Sequence, residues 1–125
     1  MSTVKAGNHG GRSTAALTGE AIERGRRYVE AGADGVFVPG AAETEIAALS
    51  SGIPAPLNVM GGPGASTTAA LGRLGAARVS LGSSVAQAAY ALARRAAAEA
   101  LTAGTYAALV DNVDYGQLNA LMRRA

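Results

Sequence analysis

Short apolar runs and longer helix-like runs alternate along the chain. Gly35-Val36-Phe37-Val38-Pro39-Gly40 is followed by the run Ala42 to Leu49. Ala55 to Met60 is followed, after Gly61-Gly62-Pro63-Gly64, by Ser66 to Leu74. Ala77 to Leu81 is followed by Ser83-Ser84 and an alanine-rich stretch to Ala103. The apolar runs start roughly twenty residues apart, too far for hairpins but right for a strand, a loop and a helix returning to the next parallel strand. The repeat predicts parallel βα units. Each strand candidate reads as a short apolar run, as expected where both faces of a sheet are covered.

The punctuation agrees. Ser66, Thr67 and Ser83 or Ser84 are placed to accept from the free N–H groups of helix starts. Gly52, Gly75 and Gly104 follow helical runs and suit left-handed closing positions. Upstream, Leu17, Ala21, Ile22, Gly25, Tyr28 and Val29 recur at helical spacing, and Gly32 closes that segment. The stretch from Ser84 to Ala103 is the longest helix, and its small-residue face is expected to pack closely against another element. Tyr106 to Val110 and Tyr115 to Met122 form two further helical pieces around Asp111-Asn112-Val113-Asp114. Thr3-Val4-Lys5-Ala6 is a poor strand candidate, and Gly7 to Ser13 reads as a loop. The chain thus divides into 1–16, a poorly ordered or remnant strand and loop; 17–104, the βα units; and 105–125, a helical extension.

Composition removes several classes of chemistry. In 125 residues there is no Cys and one His, so disulfides, thiolate metal sites and a cysteine nucleophile are excluded. Only oxygen ligands remain for a metal, which makes Mg²⁺ the natural candidate. A net charge of +2 arises from 11 Lys+Arg against 9 Asp+Glu, with arginines in pairs and no aromatic array, so nucleic-acid binding is not expected. No run approaches the ~18 apolar residues of a membrane span, and the polar, Gly-rich start is not a secretory signal. A reducing, cytoplasmic setting fits the absence of Cys.

Three ordered segments carry a family likeness: Ala31-Gly32-Ala33-Asp34-Gly35-Val36-Phe37-Val38-Pro39-Gly40, then Pro56-Leu57-Asn58-Val59, then Ala77-Arg78-Val79-Ser80-Leu81-Gly82-Ser83. Together they resemble the later strands of the phosphoenolpyruvate mutase / isocitrate lyase superfamily, over roughly residues 20 to 109. The resemblance implies an α/β fold, a partial (β/α)₈ TIM barrel of about three to four parallel βα units with a C-terminal helical extension. It also implies magnesium-dependent C–C lyase or P–C phosphonomutase chemistry on a small 2-oxo or hydroxy acid. The segments correspond to the sixth, seventh and eighth barrel strands. The family's metal-holding aspartates and acid/base residues belong to earlier strands, and no D-x-D-x-G-Y-G segment occurs here. The chain alone is therefore expected to be inactive and to bind no Mg²⁺, with a companion half-barrel or a homo-oligomer supplying the rest.

Asn58 falls where lyases of the group place an asparagine on the substrate carboxylate; a strand-end amide satisfying nearby backbone is the plainer alternative. Gly61, Gly62, Gly64 and Ser66, with Gly82 and Ser83, form two strand-to-helix loops suited to an anionic group, or simply to tight turns. Gly40 stands where isocitrate-type lyases carry a glutamate, which argues against tricarboxylate cleavage. The family arginine after the fifth strand has no counterpart near the start; Lys5 offers charge there but no bidentate grip. Asp34 is read as a turn cap at the amino-terminal face, and Glu43 and Glu45 as complements to a helix dipole. His9 reads as a loop residue, and Tyr106 and Tyr115 as packing anchors at an intra- or intersubunit contact. The rival reading is a non-catalytic half-barrel module that binds an anionic ligand or forms oligomers.

Overall fold

β-Branched and leucine residues at Val36, Val38, Leu57 and Val59 place short extended segments between helices rich in Ala, Leu, Glu and Arg. The computed structural model describes residues 2–3 and 14–123. Over these the elements run β1 (Ser2–Thr3), α1 (Thr14–Glu30), β2 (Val36–Phe37), α2 (Glu43–Gly52), β3 (Leu57–Met60), α3 (Thr68–Arg73) and β4 (Ala76–Ser80). There follow α4 (Ser84–Thr102), a 3₁₀ turn (Ala107–Leu109) and α5 (Tyr115–Met122). The strand order is β1-β2-β3-β4 and each pairing is parallel. The Phe37, Leu57 and Val79 segments thus lie side by side, as the repeat predicts, in an α/β arc built of successive βα units.

The remnant strand expected within residues 1–16 is present at its start. Ser2 and Thr3 form a strand, paired with Val36 and Phe37. Ladder pairing uses backbone groups, so a two-residue strand needs no apolar run to announce it. The expectations for Lys5, His9 and the rest of Gly7 to Ser13 lie outside the described residues.

The chain divides into two compact units, residues 1–82 and 83–125. The core of the first joins Val36, Val38, Leu57 and Val59 to Ala21, Ile46, Leu49, Ile53 and Leu71 from the helices and the turn after α2. Fully burying each of these larger aliphatic side chains contributes about 1.5–3 kcal/mol. Because strand side chains alternate, this assignment sends Phe37, Asn58, Met60, Arg78 and Ser80 to the opposite face. Cross-strand register agrees: Phe37 lies opposite Asn58, Asn58 opposite Arg78, and Met60 opposite Ser80.

Helix ends follow the sequence in part. Thr67 caps α3, its Oγ1 accepting the Ala70 N–H at 3.2 Å. Ser66 does not cap; its hydroxyl donates to Glu43 Oε1 at 2.7 Å. Ser83 precedes α4 with φ −88° and ψ 2°, outside the extended conformation that aims a capping oxygen inward, and makes no side-chain cap. Gly75 closes α3 with φ +99°, as predicted. Gly52 has a different purpose: a Cβ there would lie 2.7 Å from Ile22 Cδ1, so glycine lets α1 and α2 approach.

The second unit contains α4, the 3₁₀ turn and α5, and neither helix has a buried residue. Tyr106 and Tyr115 are 69% and 83% exposed, so neither is anchored within the chain, and the intersubunit alternative stays open. Alanine-rich α4 has high intrinsic helix propensity, which does not depend on a packed face. The turn that follows is organised by Glu99, whose carboxylate accepts the Thr105 hydroxyl at 2.6 Å and the Ala107 and Ala108 N–H groups at 2.7 Å each. The Thr105 bond first, then those to Ala108 and Ala107, hold its carboxyl below the ordinary glutamate range.

Candidate functional site

Asn58 sits second in β3 and is only 3% exposed, the one buried polar residue among those described. An amide in that position must find partners, and it finds Ser80 on β4. The Ser80 Oγ lies 2.9 Å from Asn58 Nδ2 and 3.1 Å from Oδ1. An asparagine amide offers two donors and two acceptor lone pairs, so one hydroxyl cannot exhaust it. The plainer alternative is thus partly realised, since Asn58 joins two strands, while its amide keeps hydrogen-bonding capacity for a ligand.

A cavity of about 260 Å³ is lined by Asp34, Gly35, Pro56, Leu57, Asn58 and Arg78. Asp34, Gly35 and Pro56 come just before β2 and β3, so the cavity lies toward the amino ends of the strands. Asp34 was expected only to cap a turn. Its side chain makes no hydrogen bond to a described residue and instead lines the cavity.

The loop residues lie elsewhere. Gly61, Gly62, Gly64 and Ser66 follow the carboxyl end of β3 and do not line the cavity. The Gly61 N–H extends the β3–β4 ladder to Ser80 O at 2.9 Å, and the Ala65 N–H bonds Gly62 O at 3.0 Å, so two of the loop's amides are used internally. Ser66 gives its proton to Glu43. A Cβ on Gly61 would lie 2.6 Å from Val79 Cγ1, which makes close packing its structural requirement. Gly82 (φ +55°) ends the loop after β4, while Ser83 begins the second unit. The structure therefore brings Asn58 to a cavity and leaves Gly61, Gly62, Gly64, Ser66, Gly82 and Ser83 as strand-end loop positions.

Sequence reading passed over Ser80 and Arg78. The signal was present: within Arg78-Val79-Ser80 polar and apolar residues alternate, and period two assigns both polar side chains to the face of Asn58.

Among the described residues no three His, Asp or Glu side chains converge to hold a metal ion. Glu43 accepts Ser66, and Glu45 accepts the Thr18 hydroxyl at 2.7 Å and the Ala42 N–H at 2.6 Å. This donor set does not fit the Mg²⁺ on which the family generally depends, and no reaction step is routed through a metal.

Four parallel strands in sequential order, with helices between them, define an α/β protein of the kind that builds (β/α) barrels. The phosphoenolpyruvate phosphomutase family model matches residues 9–101, and the chain belongs to that family. A crystallised protein of Burkholderia cenocepacia J2315 assigned as a lyase/mutase superposes with a TM-score of 0.79 at 32% identity, over 97% of this chain and 44% of its own. A second from the same organism, assigned as a phosphonomutase, gives 0.61 at 34% identity, over 78% and 38%. An uncharacterized protein of Mycobacterium tuberculosis is 55% identical over 67 residues, 53% of this chain and 26% of that protein. The chain thus spans about a quarter of that curated relative and less than half of either solved structure. No helix among the described residues is long and apolar enough to cross a membrane.

Proposed function

We propose that this chain forms the carboxylate-holding wall of a lyase or phosphonomutase site for a small 2-oxo or hydroxy acid. The observation that carries this reading is Asn58: a buried amide on the inner sheet face, beside a cavity, with hydrogen-bonding capacity beyond its Ser80 partner. In such a site Asn58 donates an N–H to the carboxylate from the cavity side, and the Gly61 to Ser66 and Gly82-Ser83 loops border the opposite, carboxyl ends of the strands. Stabilising an enolate and breaking or forming a C–C or P–C bond require metal-holding and acid/base groups beyond those described here.

A second reading is favoured by that missing donor set and by the exposed apolar residues of the second unit: a non-catalytic module that binds an anion or assembles with a second copy or a companion chain. Assays with oxaloacetate, phosphonopyruvate and 2-methylisocitrate in the presence of Mg²⁺ separate the two. Binding without turnover by the isolated chain is the expected result. Turnover would establish a complete enzyme, and an absence of both binding and turnover would overturn the carboxylate-holding role.

A further inference from the structure

The carboxylate reading lacks a cation, because no arginine occupies the place expected after the fifth strand and Lys5 offers only a point charge. The sheet register supplies one from another element. Arg78 on β4 is the cross-strand partner of Asn58, lies on the same face and lines the same cavity. We propose that Arg78 and Asn58 together grip one carboxylate of a small organic acid in this cavity, the guanidinium through its fork and the amide through Nδ2.

The chemistry of the lining supports that class of ligand. Opposite strand positions lie about 5 Å apart, so a long guanidinium side chain and a short amide can reach one carboxylate between them. The guanidinium has five N–H donors in a planar fork, enough to serve a carboxylate beside other partners. Its exposure permits this reach, whereas the burial of Asn58 fixes the amide in place. Asp34 on the same cavity adds a negative charge, which disfavours a second carboxylate placed beside it. The cavity's size, about 260 Å³, fits an acid of a few carbons and not a nucleotide.

This inference rests on the reading of Asn58 as a carboxylate contact, and the test keeps the two apart. Pyruvate, oxalate and inorganic phosphate are titrated into the full chain and followed by amide chemical shifts, which also report folding. Pyruvate is expected to shift the amides around Asn58 and Arg78. Arg78→Ala should weaken it about tenfold or more, and Arg78→Lys should recover only part of the loss. Asp34→Asn should tighten oxalate more than pyruvate. If Asn58→Ala weakens pyruvate while Arg78→Ala does not, the arginine contact is overturned and the Asn58 reading survives. If only Arg78→Ala weakens it, the arginine contact stands and the Asn58 reading falls. Binding of phosphate alone, or of no anion, overturns the proposal.

Discussion

Removing Ser80's hydroxyl should destabilise the first unit more than removing Asn58's amide, although the two groups share one contact. In Ser80→Ala the amide of Asn58, 3% exposed, loses a hydroxyl 2.9 Å from Nδ2 and 3.1 Å from Oδ1. A buried amide left short of a partner costs about 1–3 kcal/mol. In Asn58→Leu the branched shape is kept and the group left behind is a half-buried hydroxyl that water can still reach, so the cost is about 1 kcal/mol. In the double variant two apolar groups face each other and neither penalty remains. The cycle should therefore show a coupling of about 2–4 kcal/mol, the double variant being more stable than the sum of the singles. Urea unfolding is best read at the β3 amides, so that the second unit does not contribute. Additivity within about 0.5 kcal/mol would show that the pair is not the joint that the structure describes.

Three further outcomes are expected. Thr67→Ala should cost about 0.5–2 kcal/mol, because the Ala70 N–H loses its cap, and a melting curve equal to that of the unaltered chain would contradict the cap. Glu99 is held below its ordinary carboxyl range chiefly by the Thr105 hydroxyl. Its contribution to the turn is therefore present above the unfolded glutamate value and fades as pH falls through the lower folded one. Protection of the Ala107 and Ala108 amides, taken relative to the intrinsic exchange rate at each pH, should fall on acidification, and Glu99→Gln should flatten that dependence. Leu101, Val110 and Met122 are 87%, 86% and 75% exposed, so sedimentation at micromolar concentration should show a dimer or larger species; a well-folded monomer would refute an assembling role.

The βα rhythm was legible because each strand, loop and helix is a local repeat with its own turn residues. Gly75 could be placed from spacing alone, since its left-handed backbone is a local demand. Gly52 could not, because the Ile22 side chain that excludes a Cβ comes from a helix far away in sequence. β1 could be expected only as a remnant strand without fixed bounds for a similar reason: two residues carry no period, and their partners lie more than thirty positions away. Ser66 shows how a correct residue type can be given the wrong partner, because the carboxylate that takes its proton belongs to another βα unit. At the site, Asn58 was reached through family likeness. Arg78 and Ser80 needed the alternation within β4 to be set against β3, and that comparison depends on register.

The order β1-β2-β3-β4 means that each new strand docks against the one made just before it. A chain leaving the ribosome can therefore extend its sheet from a single advancing edge, without threading a later segment between earlier ones. Loop closure at each step spans one helix and its turns, a short search for a parallel sheet, whose pairings are ordinarily slow to form.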